Sequence, residues 1–281
     1  MTLYERGILH LEQQIAETLP EFATADDSRR EGVTFQMLLA HSSGLPAYLR
    51  LFESAHNNDE LVHHAANVPL VADPGDHAEY SDIGFILLGV ALERLTRERL
   101  DVFCKREIFD RLEMGRTFFN PSQKPWKVYI PPTVDDQTFR HRVIQGEVHD
   151  ENAWVMGGVS GHAGVFAPAR DVSAFTHCML SGGAPLVQPE TIQLFTRRQP
   201  TPAGTSRALG WDTPSQPSQS GHYFSGSSYG HLGYTGTSLW IDPERQLSVT
   251  LLTNRTWPDR QSQRIKEIRP AFHNAVIEAL K

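Results

Sequence analysis

The stretch Tyr80-Ser81-Asp82 sets a phenol, a hydroxyl and a carboxylate directly before a long apolar run, IGFILLGVALERLT. A phenol titrates near about 10, so Tyr80 can accept a proton only where nearby cations hold the phenolate. Its plainer role is a half-buried packing residue ahead of a helix. Asp82, once ionised, only accepts hydrogen bonds, and an aspartate here also suits a helix cap. His41, His149, Asp150, Glu151 and His162 form a second set of ionisable side chains. None of their spacings matches H-E-x-x-H or another close ligand pattern, so they are expected to tie loops together and to hold no metal. Residues 226–230 read GSSYG and satisfy G-x-S-x-G. A nucleophile elbow needs a strand before that serine and a helix after it, whereas here a polar loop precedes and a strand-like run follows.

The elements that must position these groups can be read from periodicity. Residues 1–19 carry apolar residues at roughly helical spacing, broken at Gly7 and ended by Pro20. Residues 33–43 read as a short helix stopped by Gly44 and Pro46, and the apolar run after Asp82 as a longer one. A further helix is expected over 102–112 and another starting near Asp171, with Asp171 at its cap or in its first turn. Residues 120–138, rich in Pro and carrying Trp126 and Tyr129, read as a surface excursion. Two β-branched or apolar runs, 237–241 and 247–252, flank a turn-type linker and predict a hairpin. An amphipathic helix over about 263–280 follows it. Cys104 and Cys178 lie in helical-looking segments and are expected to be buried free thiols.

The 281 residues carry a formal charge of -7 and no long basic run, which excludes nucleic acid as a main partner. No window of 18 apolar residues is present, so no membrane span is expected. The opening MTLYERGILHLEQQIAETLPEF is amphipathic and unlike a secretory signal.

Four segments, in order, resemble one family. TFQMLLAHSSGLP is similar to the T-x-x-x-L-L-x-H-T-S-G-L segment of penicillin-binding proteins, class C β-lactamases and related esterases. PGDHAEYSDIGFILLGVALERLT is similar to their P-G-x-x-x-x-Y-S-N-x-x-Y-x-L-L-G segment. VHDENAWVMGGVSGHAGVF and GHLGYTGTSLWIDPERQLSVTLLTNR resemble the branch with D-Ala-D-Ala carboxypeptidase-like proteins. The resemblance implies acyl transfer by a serine hydrolase, with a hydroxyl nucleophile activated by a neighbouring base and an oxyanion met by N–H donors. It makes Tyr80 the motif tyrosine, puts Asp82 where the family mostly has Asn, and aligns His231-Leu232-Gly233 with a substrate-holding H-T-G strand edge. Leu232 lacks the hydroxyl that would bind a substrate carboxylate, which tilts the expectation toward esters or amides. Gly233 would admit the substrate's backbone, and the N–H of Tyr234 would be one oxyanion donor.

The family's nucleophile motif, S-x-x-K, needs its serine and lysine one helical turn apart. Three residues before Lys105, Lys124, Lys127, Lys266 and Lys281 stand Val102, Pro121, Lys124, Gln263 and Glu278, so the motif is absent. In the family it lies just upstream of the segment that opens this chain, which predicts an N-terminally truncated enzyme lacking its early strands and inactive alone. The alternative is a non-catalytic binding protein that keeps the cleft. The expected fold is α/β (α+β): an antiparallel sheet flanked by helices, with an inserted, mostly helical lobe. It forms one β-lactamase-related domain over 1–281, with 1–40 and 190–281 as the α/β part and 41–189 as the helical lobe. The expected partner is a small-molecule or peptide substrate, with no cofactor; localisation and oligomeric state stay open, although many relatives are periplasmic or extracellular.

Overall fold

Gly7, at φ +65°, breaks the N-terminal amphipathic stretch into two short helices, α1 (Thr2–Glu5) and α2 (Ile15–Thr18). The computed structural model describes residues 1–23, 26–121 and 125–281, with backbone alone at Pro125 and Trp126. Residues 122–124 of the Pro-rich excursion, and the Trp126 side chain, therefore lie outside the described residues. Thr34 caps α3 (Phe35–Leu39) by accepting the Met37 N–H at 3.3 Å, and Asn57 caps α4 (Asn58–Ala66).

The apolar run after Tyr80 forms α5 (Asp82–Thr96). Ser81, not Asp82, caps it: Ser81 Oγ accepts the Gly84 N–H at 3.0 Å. Arg97, in the left-handed region, ends it. Ile83, Ile86, Leu87 and Ala91 of α5 are fully buried against Ile15, Leu19, Phe22, Phe35 and Leu38, with Leu61 and Ala65 from α4. This cluster joins residues 1–40 to the central helices. Arg30 lies inside it, stacked 4.1 Å above Phe22 and donating to the Phe22, Val68 and Ala66 carbonyls.

Beyond α5 run α6 (Leu100–Cys104), a π-helical turn (Lys105–Phe109), β1 (Phe118–Phe119), and the hairpin β2 (Val134–Asp136) and β3 (Arg142–Ile144). Next come α7 (Glu151–Val155), β4 (Val165–Phe166), which pairs with β1, α8 (Ala169–Leu180) and α9 (Pro189–Thr196). Asp171 falls in the first turn of α8, where its carboxylate accepts from the Arg116 N–H and the Thr117 hydroxyl, both at 2.9 Å. Cys178 is buried and Cys104 half-buried, both as free thiols.

The C-terminal sheet is antiparallel throughout, in the order β5 (Tyr229–Leu232), β6 (Ser238–Asp242), β7 (Leu247–Leu251). The expected hairpin is thus present. Asp242 closes its turn, accepting the Glu244 and Arg245 N–H groups at 3.1 Å and the Ser225 hydroxyl at 2.7 Å. Because strand side chains alternate between faces, Tyr229 and Ile241 pack with Met179 of α8 and Ile192 of α9, while Trp240 and Val249 pack with Ile277 of α10 (Ile265–Ala279). Ser228 of the G-x-S-x-G stretch is buried against Ser225 and leads into β5, so it is no elbow.

One backbone contact sets where the loop after α7 meets α5. A Cβ on Gly89 would stand 2.7 Å from Gly161 N and 3.0 Å from Gly161 Cα, and one on Gly161 would strike the Phe85 carbonyl. Gly89→Ala is therefore expected to destabilise the chain by about 1–3 kcal/mol through overpacking. Urea unfolding measures it, and an unchanged midpoint would show that helix and loop have room to separate.

Candidate functional site

Two of the quoted sequence stretches fold onto each other. His41, at φ 57°, turns its segment so that residues 41–47 run beside 71–82. His41 O accepts the Glu79 N–H at 2.9 Å, Ser42 O the Gly75 N–H at 2.8 Å, and Ala47 O the Asp82 N–H at 2.8 Å. Side chains complete the clamp: Ser81 N–H donates to His41 Nδ1 at 3.0 Å, and Ser81 Oγ to the Pro46 carbonyl at 2.7 Å. A ring nitrogen that accepts from an amide must carry no proton, which fixes the His41 tautomer. Burial, and then Arg207 and His231 nearby, hold His41 well below the usual histidine range.

The clamp presents Tyr80. Its ring lies 4.6 Å from His41 and 6.0 Å from His231 between centroids, and the Arg207 guanidinium carbon stands 5.5 Å from its centre. Desolvation and the neighbouring Asp82 carboxylate, to which the phenol is hydrogen-bonded, push the Tyr80 phenol up; Arg207 pulls the other way and is outweighed. Tyr80 is thus a neutral phenol in this arrangement. Burial also raises the Asp82 carboxyl, with Asp150 adding to the effect and His162 opposing it.

His231 donates through Nδ1 to the Leu232 carbonyl at 2.9 Å, leaving Nε2 as the lone-pair nitrogen of the neutral ring. Burial and Arg207 lower its pKa. Leu232 differs from expectation: strand alternation turns its side chain to the other face, where it packs with the Phe224, Trp240 and Val249 cluster. The glycine at 233 also has a local reason, since a Cβ there would strike Thr237 Oγ1.

The turn 233–237 is pinned on several sides. Gly233 N–H donates to Thr237 O at 2.8 Å, Arg269 Nη2 to Gly233 O at 2.6 Å, and Arg255 Nε to Tyr234 O at 2.7 Å. The Tyr234 N–H, by contrast, makes no hydrogen bond among the described residues. A fixed, unengaged N–H is the property an oxyanion donor needs. The Tyr234 side chain is exposed, 4.2 Å below the Arg255 guanidinium and 5.5 Å from His149.

Of the second set of ionisable side chains, Asp150, Glu151 and His162 tie loops together, and His149 does not. Asp150 caps α7 and accepts His162 Nε2 at 2.8 Å, while His162 Nδ1 meets Ser160 Oγ at 2.8 Å. Arg260 holds Glu151 at 2.9 Å. His149 is buried with neither ring nitrogen hydrogen-bonded, and burial, then Arg260 and Arg140, lower its pKa to about 4. Among the described residues no group of three or more His, Cys, Asp or Glu is arranged to hold a metal. A cavity of 620 Å³ lined by Asn58, His63, Glu93, Arg94 and Arg97 shares no residue with the Tyr80 cluster.

A family model described as Beta-lactamase matches residues 1–270. The chain belongs to the β-lactamase family. Curated relatives include the N-acetylmuramyl-L-alanine amidase of Bacillus subtilis (strain 168), 33% identical over 282 residues, with 90% of this chain and 64% of that protein covered. A putative D-alanyl-D-alanine carboxypeptidase of Escherichia coli (strain K12) is 32% identical with the same coverage. This β-lactamase-family chain thus spans 64% of the length of those relatives. Among solved structures, the octameric penicillin-binding protein homologue from Pyrococcus abyssi superposes with a TM-score of 0.73 at 19% identity, covering 99% of this chain and 62% of that one. The fold is therefore that of β-lactamases and penicillin-binding proteins.

Sequence reasoning identified Tyr80, Asp82 and His231, and the structure brings all three together. Arg207 was missed, because nothing in the local pattern RALGWD aims it at a tyrosine so distant in the chain.

Four histidines held neutral, three around the site and His273 where α10 packs on the sheet, make this family member acid-labile. His41, His149, His231 and His273 all titrate lower than an unfolded histidine, with His149 and His273 at about 4. The unfolded chain then binds more protons as pH falls, so stability is full above about 6.5 and declines below it, by at most about 1.4 kcal/mol per pH unit for each histidine. His41→Asn should lower stability at pH 7.5 and flatten the decline between pH 6.5 and 5. Denaturant midpoints across that range measure it; an unaltered slope would mean that His41 does not titrate with unfolding.

Proposed function

We propose that the face formed by Tyr80, Asp82, His231 and Tyr234 binds the carbonyl-containing end of an amide or ester for acyl-transfer hydrolysis, of the D-Ala-D-Ala carboxypeptidase-like or esterase-like type. The single observation that carries this reading is the Tyr234 N–H, unengaged among the described residues, on the pinned turn that follows β5, the strand whose His231 ring lies 6.0 Å from Tyr80. In such a reaction the carbonyl oxygen becomes an oxyanion, and a fixed N–H stabilises it at no cost of reorganisation. Two relatives, named an amidase and a carboxypeptidase, support amide chemistry.

The 281 residues contain no S-x-x-K. Within the same proposal, this chain by itself binds ligand reversibly and forms no acyl-enzyme, which is the property of a binding protein that keeps the cleft. Two serines near Tyr80 and His162 are otherwise engaged: Ser81 Oγ is committed to the Pro46 carbonyl and the helix cap, and Ser160 is buried against His162. Tyr80, as a neutral phenol facing Asp82, acts in this reading as a hydrogen-bonding and packing surface and not as a base.

Intact-mass spectrometry after incubation with a fluorescent penicillin tests the reversible part. The expected spectrum shows the unmodified chain alone; a stable adduct would overturn it and point to a nucleophile other than a serine paired with lysine.

A further inference from the structure

Every carbonyl of the turn 233–237 is taken. Gly233 O accepts the Gly236 N–H at 3.0 Å and Arg269 Nη2 at 2.6 Å. Tyr234 O accepts Arg255 Nε at 2.7 Å, and Thr235 O the Arg255 N–H at 2.8 Å. Gly236 O accepts Thr253 Oγ1 at 2.7 Å, while Thr237 O accepts the Gly233 N–H at 2.8 Å and the same Arg269 nitrogen at 2.9 Å. The Tyr234 N–H donates to nothing among the described residues. That N–H and the Gly233 carbonyl are two ends of one planar, conjugated peptide group. The free donor therefore belongs to a unit whose oxygen is engaged twice, once by a cation.

The cation is buried without a counter-ion. Arg269, His273 and Ile277 recur every four residues along α10, on the face that packs against the sheet. Arg269 is only 6% exposed, its Nε finds no acceptor, and no carboxylate pairs with it among the described residues. His273, the next residue along that face, is held neutral and meets Ser238 Oγ at 3.0 Å, so it brings no negative charge. The other buried guanidinium in this half of the chain, that of Arg140, is balanced by Asp136 at 2.8 Å. Burial, and then Arg255, lower the Arg269 pKa, yet an arginine stays protonated in proteins. Its uncompensated charge thus acts on the carbonyls of the turn, with little water to screen it.

Resting on the reading of the Tyr80–His231 face as the substrate face, we propose that Arg269 is a positioning residue that strengthens the Tyr234 N–H as an oxyanion donor by polarising the Gly233–Tyr234 peptide group. A hydrogen bond from a cation to a peptide oxygen draws electron density toward that oxygen and leaves the N–H at the other end more positive. The same bond fixes the plane of the group, and with it the direction of the N–H. Arg255 grips Tyr234 O, which belongs to the following peptide group, so its hold on this N–H is indirect. Arg269 touches no ligand and takes no part in bond making or breaking.

The acidity of the amide is the readout. Hydroxide removes the Tyr234 N–H proton as water, and the resulting imidate carries its negative charge on Gly233 O, the atom to which Arg269 donates; deuterium then returns from solvent. Hydroxide-catalysed hydrogen–deuterium exchange, followed by NMR on the full chain, measures this without a ligand. Arg269→Gln should slow exchange of the Tyr234 amide by about tenfold, the effect of one pKa unit. Arg269→Lys should keep most of the rate, and Arg255→Gln should change it less than Arg269→Gln does. A merely structural anchor predicts otherwise, because loosening a turn does not slow exchange of an N–H that is already free. Unchanged protection of the β5 and β6 amides establishes that each variant is folded. Should the Arg269 variants fail to fold, the unsubstituted chain decides: its Tyr234 amide should exchange at least as fast as a Gly-Tyr step in an unstructured peptide, and a rate about tenfold or more slower overturns the proposal. Undiminished exchange in Arg269→Gln, or equal slowing by Gln and Lys, overturns it too, while the substrate-face reading stands. Titration with N-acetyl-D-alanyl-D-alanine checks that reading separately, since a bound carbonyl should move the Tyr234 amide proton downfield. If the resonance stays in place throughout, the substrate-face reading falls and the role of Arg269 with it.

Discussion

The site hangs on a neutral imidazole. His41 accepts the Ser81 N–H with Nδ1, and that one bond joins the His-Ser-Ser-Gly-Leu-Pro segment to the start of α5. It accompanies a ring tautomer, a charge state and a left-handed turn at His41, whose carbonyl also accepts the Glu79 N–H. An amide donor left unpaired in this buried place would be costly. Tyr80 and Asp82 flank the clamped Ser81, so their positions follow from it, and α5 carries the constraint onward through the Gly89–Gly161 contact to the loop holding His162.

Electrostatics divides the cleft into two sides. On one, Asp82 and Asp150 gather negative charge around the Tyr80 phenol, with His162 as their counterweight. On the other, Arg207 stands beside neutral His231, and Arg255 lies over Tyr234. Burial first, and then the Asp82 carboxylate, push the phenol up against the pull of Arg207.

The hairpin, the helix after Tyr80 and the C-terminal helix were legible because each has a local cause: β-branched runs around a turn, a long apolar run, an amphipathic period, although the cap of the second fell to Ser81 and not to Asp82. The N-terminal stretch has helical spacing interrupted at Gly7, yet it forms two short helices separated by residues 6–14, where Gly7 stands at φ +65° and Gln14 bridges Thr34. The helix expected over 102–112 begins at Leu100 and continues through a π-turn, since helix starts with no side-chain cap carry little local signal.

Composition and motif alone determined the family-like segments, the missing S-x-x-K and the identity of Tyr80, Asp82 and His231 as a set, because each is a matter of residue type and order. Which face each side chain occupies was decided only by tertiary structure. Leu232 follows His231 by one residue yet belongs to the apolar core, because pleating sends neighbours to opposite sides and only the docking of α8 and α10 says which side is which. Arg207 reaches Tyr80 because Asp212 pairs with Gly230, a contact between residues that no local pattern relates.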